Sequence, residues 1–148
     1  MVFAKVRSKG NAKERLDKIK AATKGHEQRL RAGFPKGKTD SFNLNKAIWN
    51  EFGTVNIPER PFMRNTVAKK KSIYKRHMRK AASQIMAGSS TIPVVLNKLG
   101  ILVQGDIQGE ITSLNSPPNA PSTIRQKGSS NPLIDTSAMR QAVTWEVK

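Results

Sequence analysis

Cysteine is absent from the chain. That excludes a disulfide framework and thiolate metal sites, and it fits a reducing compartment. No apolar run approaches the ~18–20 residues a membrane span requires. The longest uncharged stretch, residues 81–97, carries Ser, Gln, Thr and Pro and reads as a soluble helix. The opening MVFAKVRSKG is charged and lacks an apolar segment with a cleavage site, so no signal peptide is expected. Aromatic residues make up only 5% of the chain. Acidic residues are the most telling shortage. There are 10 against 27 Lys and Arg, and none stands between Glu59 and Asp106.

The groups a catalyst needs are also missing. The two histidines, His26 and His77, both sit among basic residues, which favours a solvated role over acid–base work. Ser89 and Ser90 have no base motif nearby. Glu51, Glu59, Asp106 and Glu110 are too scattered for a carboxylate pair or a metal site, and the i, i+4 pair Asp106 and Glu110 reads as one polar helix edge. AGFPKGKTD (32–40) imitates a phosphate-binding loop but lacks its spacing, because Gly33 stands too close to Gly37. No zinc-finger spacing occurs. The expectation is a non-enzyme without catalytic, cofactor-binding or metal-binding residues, which also disfavours a nuclease-like toxin.

What is present is positive charge. The formal net charge of +17 divides unevenly: +5 over residues 1–27, +2 over 28–59, +10 over 60–105 and zero over 106–148. A solvated helix face ordinarily mixes both signs, so a one-signed stretch of this length points to a polyanion or an acidic protein surface. Its densest part is the cluster Lys69, Lys70, Lys71, Lys75, Arg76, Arg79 and Lys80.

With 148 residues the chain has material for one core. Residues 1–27 read as a basic helical arm, with a helix starting after Gly10 or Asn11 and a narrow stripe of Leu16, Ile19 and Ala22. Residues 28–148 read as a single domain. Leu30, Ala32 and Phe34 alternate with Arg29, Arg31 and Gly33, a strand with one wet face. Residues 42–52 look like a second strand, with a helix over 44–51 as the other option. Pro61 opens a helix running to Gly88 on the stripe Val67, Tyr74, Met78, Ala81 and Ile85. A further helix, from about Thr91 to Ser113, shows Val95, Leu99, Leu102, Val103, Ile107 and Ile111 on one face. Its glycines 100, 105 and 109 weaken it by up to ~1 kcal/mol each relative to alanine; they read as places of close packing, with mere tolerance as the other option. Residues 114–132 hold four prolines and read as an extended loop without a regular element. Residues 137–141 form one helical turn, held by Asp135, Thr136 and Ser137. Val143, Trp145 and Val147 then alternate with Ala142, Thr144 and Glu146 as a closing strand. The predicted class is α+β: a small, mainly antiparallel sheet with two long helices on one face.

Two non-catalytic classes follow. One is a basic, non-sequence-specific nucleic-acid-binding accessory protein. The other is a structural assembly protein that meets DNA without reading it. Two stretches discriminate between them. NEFGT (50–54) followed by IPERPFMR (57–64), and NAPSTIRQKGSSNPLIDTSAMRQAVTWEV (119–147), resemble the two signature blocks of tailed-phage neck and tail-completion proteins, in the same order and separation. One departure is Ser137, where the pattern has Gly; a serine there implies a turn without positive φ. The resemblance implies a virion protein of the head–tail junction, assembled in the host cytoplasm. It would form a ring, usually a hexamer, on the tail tube end. Its partners would be other copies, the tail tube or tail terminator protein, and connector or stopper proteins, with genomic DNA passing non-specifically through the lumen and no membrane involved. Under it Asn50, Glu51, Phe52, Gly53 and Thr54 set a strand-to-helix corner with Pro58 and Pro61. Phe52 and Phe62 are core, and Arg60 or Arg64 pairs with Glu51. Asp135 and Thr136 belong to the second block. Pro117, Pro118, Pro121, Thr123, Ile124 and Lys127 belong to a loop reaching a neighbouring subunit. The basic cluster lines the channel or faces an adjoining ring.

Overall fold

The computed structural model describes residues 12–24 and 28–148. The first eleven residues and the stretch 25–27, with His26, lie outside the described residues. The elements run α1 (Ala12–Thr23), β1 (Leu30–Gly33), α2 (Ser41–Phe52), α3 (Phe62–Met86), α4 (Ile92–Ser113), α5 (Pro121–Lys127), α6 (Ala138–Gln141) and β2 (Thr144–Val147). The α+β class holds, with helix dominating and one small antiparallel sheet.

That sheet is smaller than the sequence implies. It is the β1–β2 pair alone, with Leu30 opposite Val147 and Gly33 opposite Thr144. The third strand is missing because residues 42–52 form helix α2. Phe42, Leu44, Ile48 and Phe52 imitate a period of two, but local chemistry selects the helix. Asp40 is extended (φ −67°, ψ 154°) and its side chain accepts the Asn43 N–H at 2.9 Å, satisfying a donor at the helix start. Gly53 at φ +73° ends the helix; a Cβ there would lie 3.2 Å from the Glu59 nitrogen and the Ile57 carbonyl oxygen.

The proline-rich stretch also contains a regular element. Pro121 starts α5, where its missing N–H costs nothing, and Gly128 at φ +67° closes it. Counting prolines as breakers hides this pairing. The turn before α6 is likewise stricter than expected. Ser137 has φ +63°, so the left-handed conformation that favours glycine is occupied by a serine.

The core gathers Ala47, Phe62, Ile107, Ile111, Leu114, Leu133, Met139 and Val143. Phe34 meets Phe62 edge-on at 6.2 Å. Only one of the two long helices lies on the sheet: α4 crosses both strands, while α3 packs along α4 and touches the sheet at its first turn, where Met63 covers Gly33. α1 packs against α3. Trp145 explains one of the α4 glycines. A Cβ on Gly100 would lie 2.2 Å from its indole, whose Nε1–H donates to Asn97 Oδ1 at 3.1 Å. Gly105 and Gly109 have open space around them, so they are not packing sites among the described residues. Two positions of the α3 stripe, Val67 and Met78, are also exposed.

Candidate functional site

The α2–α3 corner is built around two buried charges. Pro61, at the start of α3, has no side chain able to cap the helix, so its first amides need an outside acceptor. Glu51, 5% exposed, supplies it. One carboxylate oxygen accepts the Met63 N–H at 2.9 Å and the other accepts the Arg64 N–H at 3.1 Å. A carboxylate at a helix N-terminus also meets the positive end of the dipole. Arg64, rather than Arg60, is its ion-pair partner, at 3.1 Å, and also reaches Glu59. The hydrogen bond to Glu51 holds the Arg64 guanidinium above its ordinary range. Thr54 closes the linker, accepting the Ile57 N–H on its hydroxyl and donating its own N–H to the Ile57 carbonyl.

Arg60 does a different task. It is 3% exposed and ties the corner to the C-terminal block. Its Nε–H donates to the Pro117 carbonyl at 2.8 Å, and its Nη2 to the Pro118 carbonyl and Asn119 Oδ1, both at 3.1 Å. Its Nη1 reaches Asn50 Oδ1 at 3.2 Å. Burial pulls this guanidinium below its ordinary range. Farther along, Lys127 donates to the carbonyls of Asn131 and Pro132, while the Asn131 side chain accepts the amides of Leu133 and Ile134. The two signature blocks thus form one hydrogen-bonded unit.

The remaining expected residues separate into two groups. Phe62 is fully buried, as expected, whereas Phe52 is 67% exposed, because it lies on the outward face of α2 once that segment is a helix. Phe52, Phe42, Ile48 and Trp49 make an exposed apolar stripe there. Phe42 and Phe52 lie under the cations Lys46 and Arg64, at 4.2 and 5.5 Å from the ring centres. Asp135 and Thr136 are exposed beside α6; the Thr136 hydroxyl accepts the Ala138 N–H. Pro121 is exposed, while Pro117, Thr123 and Ile124 are half-buried.

The basic cluster is not uniform. Lys69 bonds Glu110 at 2.6 Å and Lys70 bonds Asp106 at 3.1 Å, so the polar edge of α4 neutralises part of it. Tyr74 donates to Asp106 at 3.0 Å, and burial together with that bond pushes its phenol well above the usual range. Lys71, Lys75, Arg76, Arg79 and Lys80 are exposed and form no ion pair among the described residues.

A cleft of about 590 Å³ lies between α2 and the C-terminal block, with Lys46, Trp49, Arg60, Pro118, Lys127 and Asp135 on its walls. Sequence reading placed Arg60 and Asp135 in the signature blocks and Pro118 and Lys127 in the inter-subunit loop, but singled out none of Lys46, Trp49, Asn119 and Asn131. The signal for Trp49 was its place in an apolar run, masked by the strand reading. Among the described residues no group of three His, Asp or Glu side chains is arranged to hold a metal, and no helix is long and apolar enough to cross a membrane. Comparison with known proteins yields no matching family model, curated protein or solved structure.

Proposed function

We propose that this chain is a non-enzymatic structural protein of the tailed-phage head–tail junction. It assembles into a ring on the tail tube end and docks to the connector, with DNA passing through the lumen. The observation that carries this reading is the bonding between the two stretches that resemble tail-completion proteins. Glu51 of the first block caps the helix opened by IPERPFMR, and Arg60 binds the residues leading into the second. The residues that carry the resemblance are also ones that hold the corner together.

The exposed residues Phe42, Ile48 and Phe52 support assembly, since exposed apolar surface marks interaction sites in soluble proteins. In the ring reading a neighbouring copy covers them. A second reading, a nucleic-acid-binding accessory protein, draws on the five unpaired cations of α3 and predicts affinity that falls steeply with salt.

Sedimentation velocity on the wild type and an Ile48→Asp/Phe52→Asp variant tests the assembly reading. Both positions are exposed, and circular dichroism of the variant checks that it keeps its fold. A large wild-type species reduced to monomer in the variant is the expected result. Identical sedimentation of the two removes the stripe as the subunit contact.

A further inference from the structure

The carboxylates that turn inward in this molecule are each paired with a cation that stays more open to solvent. Arg64 meets Glu51, Lys69 meets Glu110, Lys70 meets Asp106, and Arg31 lies 3.7 Å from Glu146. The cleft between α2 and the C-terminal block breaks this pattern. Arg60 is 3% exposed, and all four of its side-chain hydrogen bonds end on neutral oxygens. Lys127 also bonds only backbone carbonyls, and neither residue forms an ion pair among the described residues. Lys46 lines the same space, and its ammonium lies over the face of Phe42. Asp135 is the only acid on the walls. Burying the Arg60 charge with no carboxylate in contact is costly, and it adds to a positive potential in the recess that Asp135 offsets only in part. The lysine at the centre registers this: burial lowers the pKa of Lys127, the charges of Arg60 and Lys46 lower it further, and Asp135 opposes them.

We propose that this cleft is a docking site for an acidic polypeptide segment of a partner protein, which places a carboxylate between Lys46 and Lys127 against the field of Arg60. The walls favour a peptide over a bare anion. Trp49, half-open to solvent, stands with Ile57, Pro58, Pro118 and Leu133 around the cations, giving apolar surface for a backbone and neighbouring side chains. The cleft is distinct from the α3 face, and the proposal does not rest on the ring reading, because a monomer has the same cleft.

The test is an NMR titration of the full chain, following the Trp49 indole N–H and the Arg60 Nε–H. The probes are acetyl-Ala-Glu-Ala-amide, its Gln counterpart, inorganic phosphate and a short DNA duplex. A saturable shift with the Glu peptide is expected, absent with the Gln peptide. Lys127→Met and Lys46→Met should each weaken it roughly tenfold, and Lys75→Met should leave it unchanged. The Lys46 ammonium donates no hydrogen bond among the described residues, so its variant keeps the test decisive if Lys127→Met unfolds. Four results would overturn the proposal: shifts confined to α3, equal responses to the Glu and Gln peptides, undiminished binding in both methionine variants, or saturation by phosphate or DNA where the peptide gives none.

Discussion

Glu51 is the residue on which the corner depends. It is buried, accepts two amides from the first turn of α3 and pairs with Arg64. Removing it orphans those donors at the start of the longest helix. Glu51→Ala should therefore cost about 3 kcal/mol in urea-induced unfolding, far more than an exposed acid. Tyr74 gives a prediction with a pH signature. Its phenol is held above its ordinary value by burial and by the bond to Asp106. Stabilisation from a raised pKa is complete below the unfolded value, near pH ~10, and is lost as pH rises beyond it. Tyr74→Phe should be less stable than the wild type by about 1 kcal/mol at neutral pH, and the gap should close above pH ~10. A gap that persists unchanged at pH 11 would show that the hydroxyl bond is not its origin.

Among the elements, α4 separates two uses of glycine. Gly100 lets the Trp145 indole lie on the helix, whereas Gly105 and Gly109 have open space where a side chain would go. Gly100→Ala should destabilise by about 2 kcal/mol through overpacking, despite alanine's better helix propensity. Gly105→Ala should stabilise by about 0.5–1 kcal/mol. Thermal unfolding of the two single variants checks the opposite signs. The same contrast shows what the sequence makes legible. Long elements with a sustained period were readable: α3, α4 and the closing strand lie where their patterns put them. α2 was not, because Phe42, Leu44, Ile48 and Phe52 fit an alternating pattern, and the deciding Asp40 cap is a single local bond. α5 was hidden because a proline reads as a breaker until its place at the first turn is known. In the corner, the motif residues were visible but their partners were not. Glu51 reaches Arg64 thirteen residues on, and Arg60 reaches Pro117 fifty-seven residues on, distances that no local pattern encodes.

At the scale of the whole molecule, three surfaces lack a partner among the described residues: the apolar stripe of α2, the exposed cations of α3 and the electropositive cleft. A protein that works by joining others has use for all three, whereas a DNA-binding monomer uses only the second. The proposed ring also places opposite demands on salt. Apolar contacts on α2 should persist as salt rises, while cation–phosphate contacts on α3 should weaken with a log–log slope near −0.9 per neutralised phosphate. The most direct measurement is solution mass by light scattering at low and high salt, with and without duplex DNA. The account predicts one discrete species of ring size, unchanged by salt and formed without DNA. A monomer at every salt concentration, associating only with DNA and released from it as salt rises, would contradict the account.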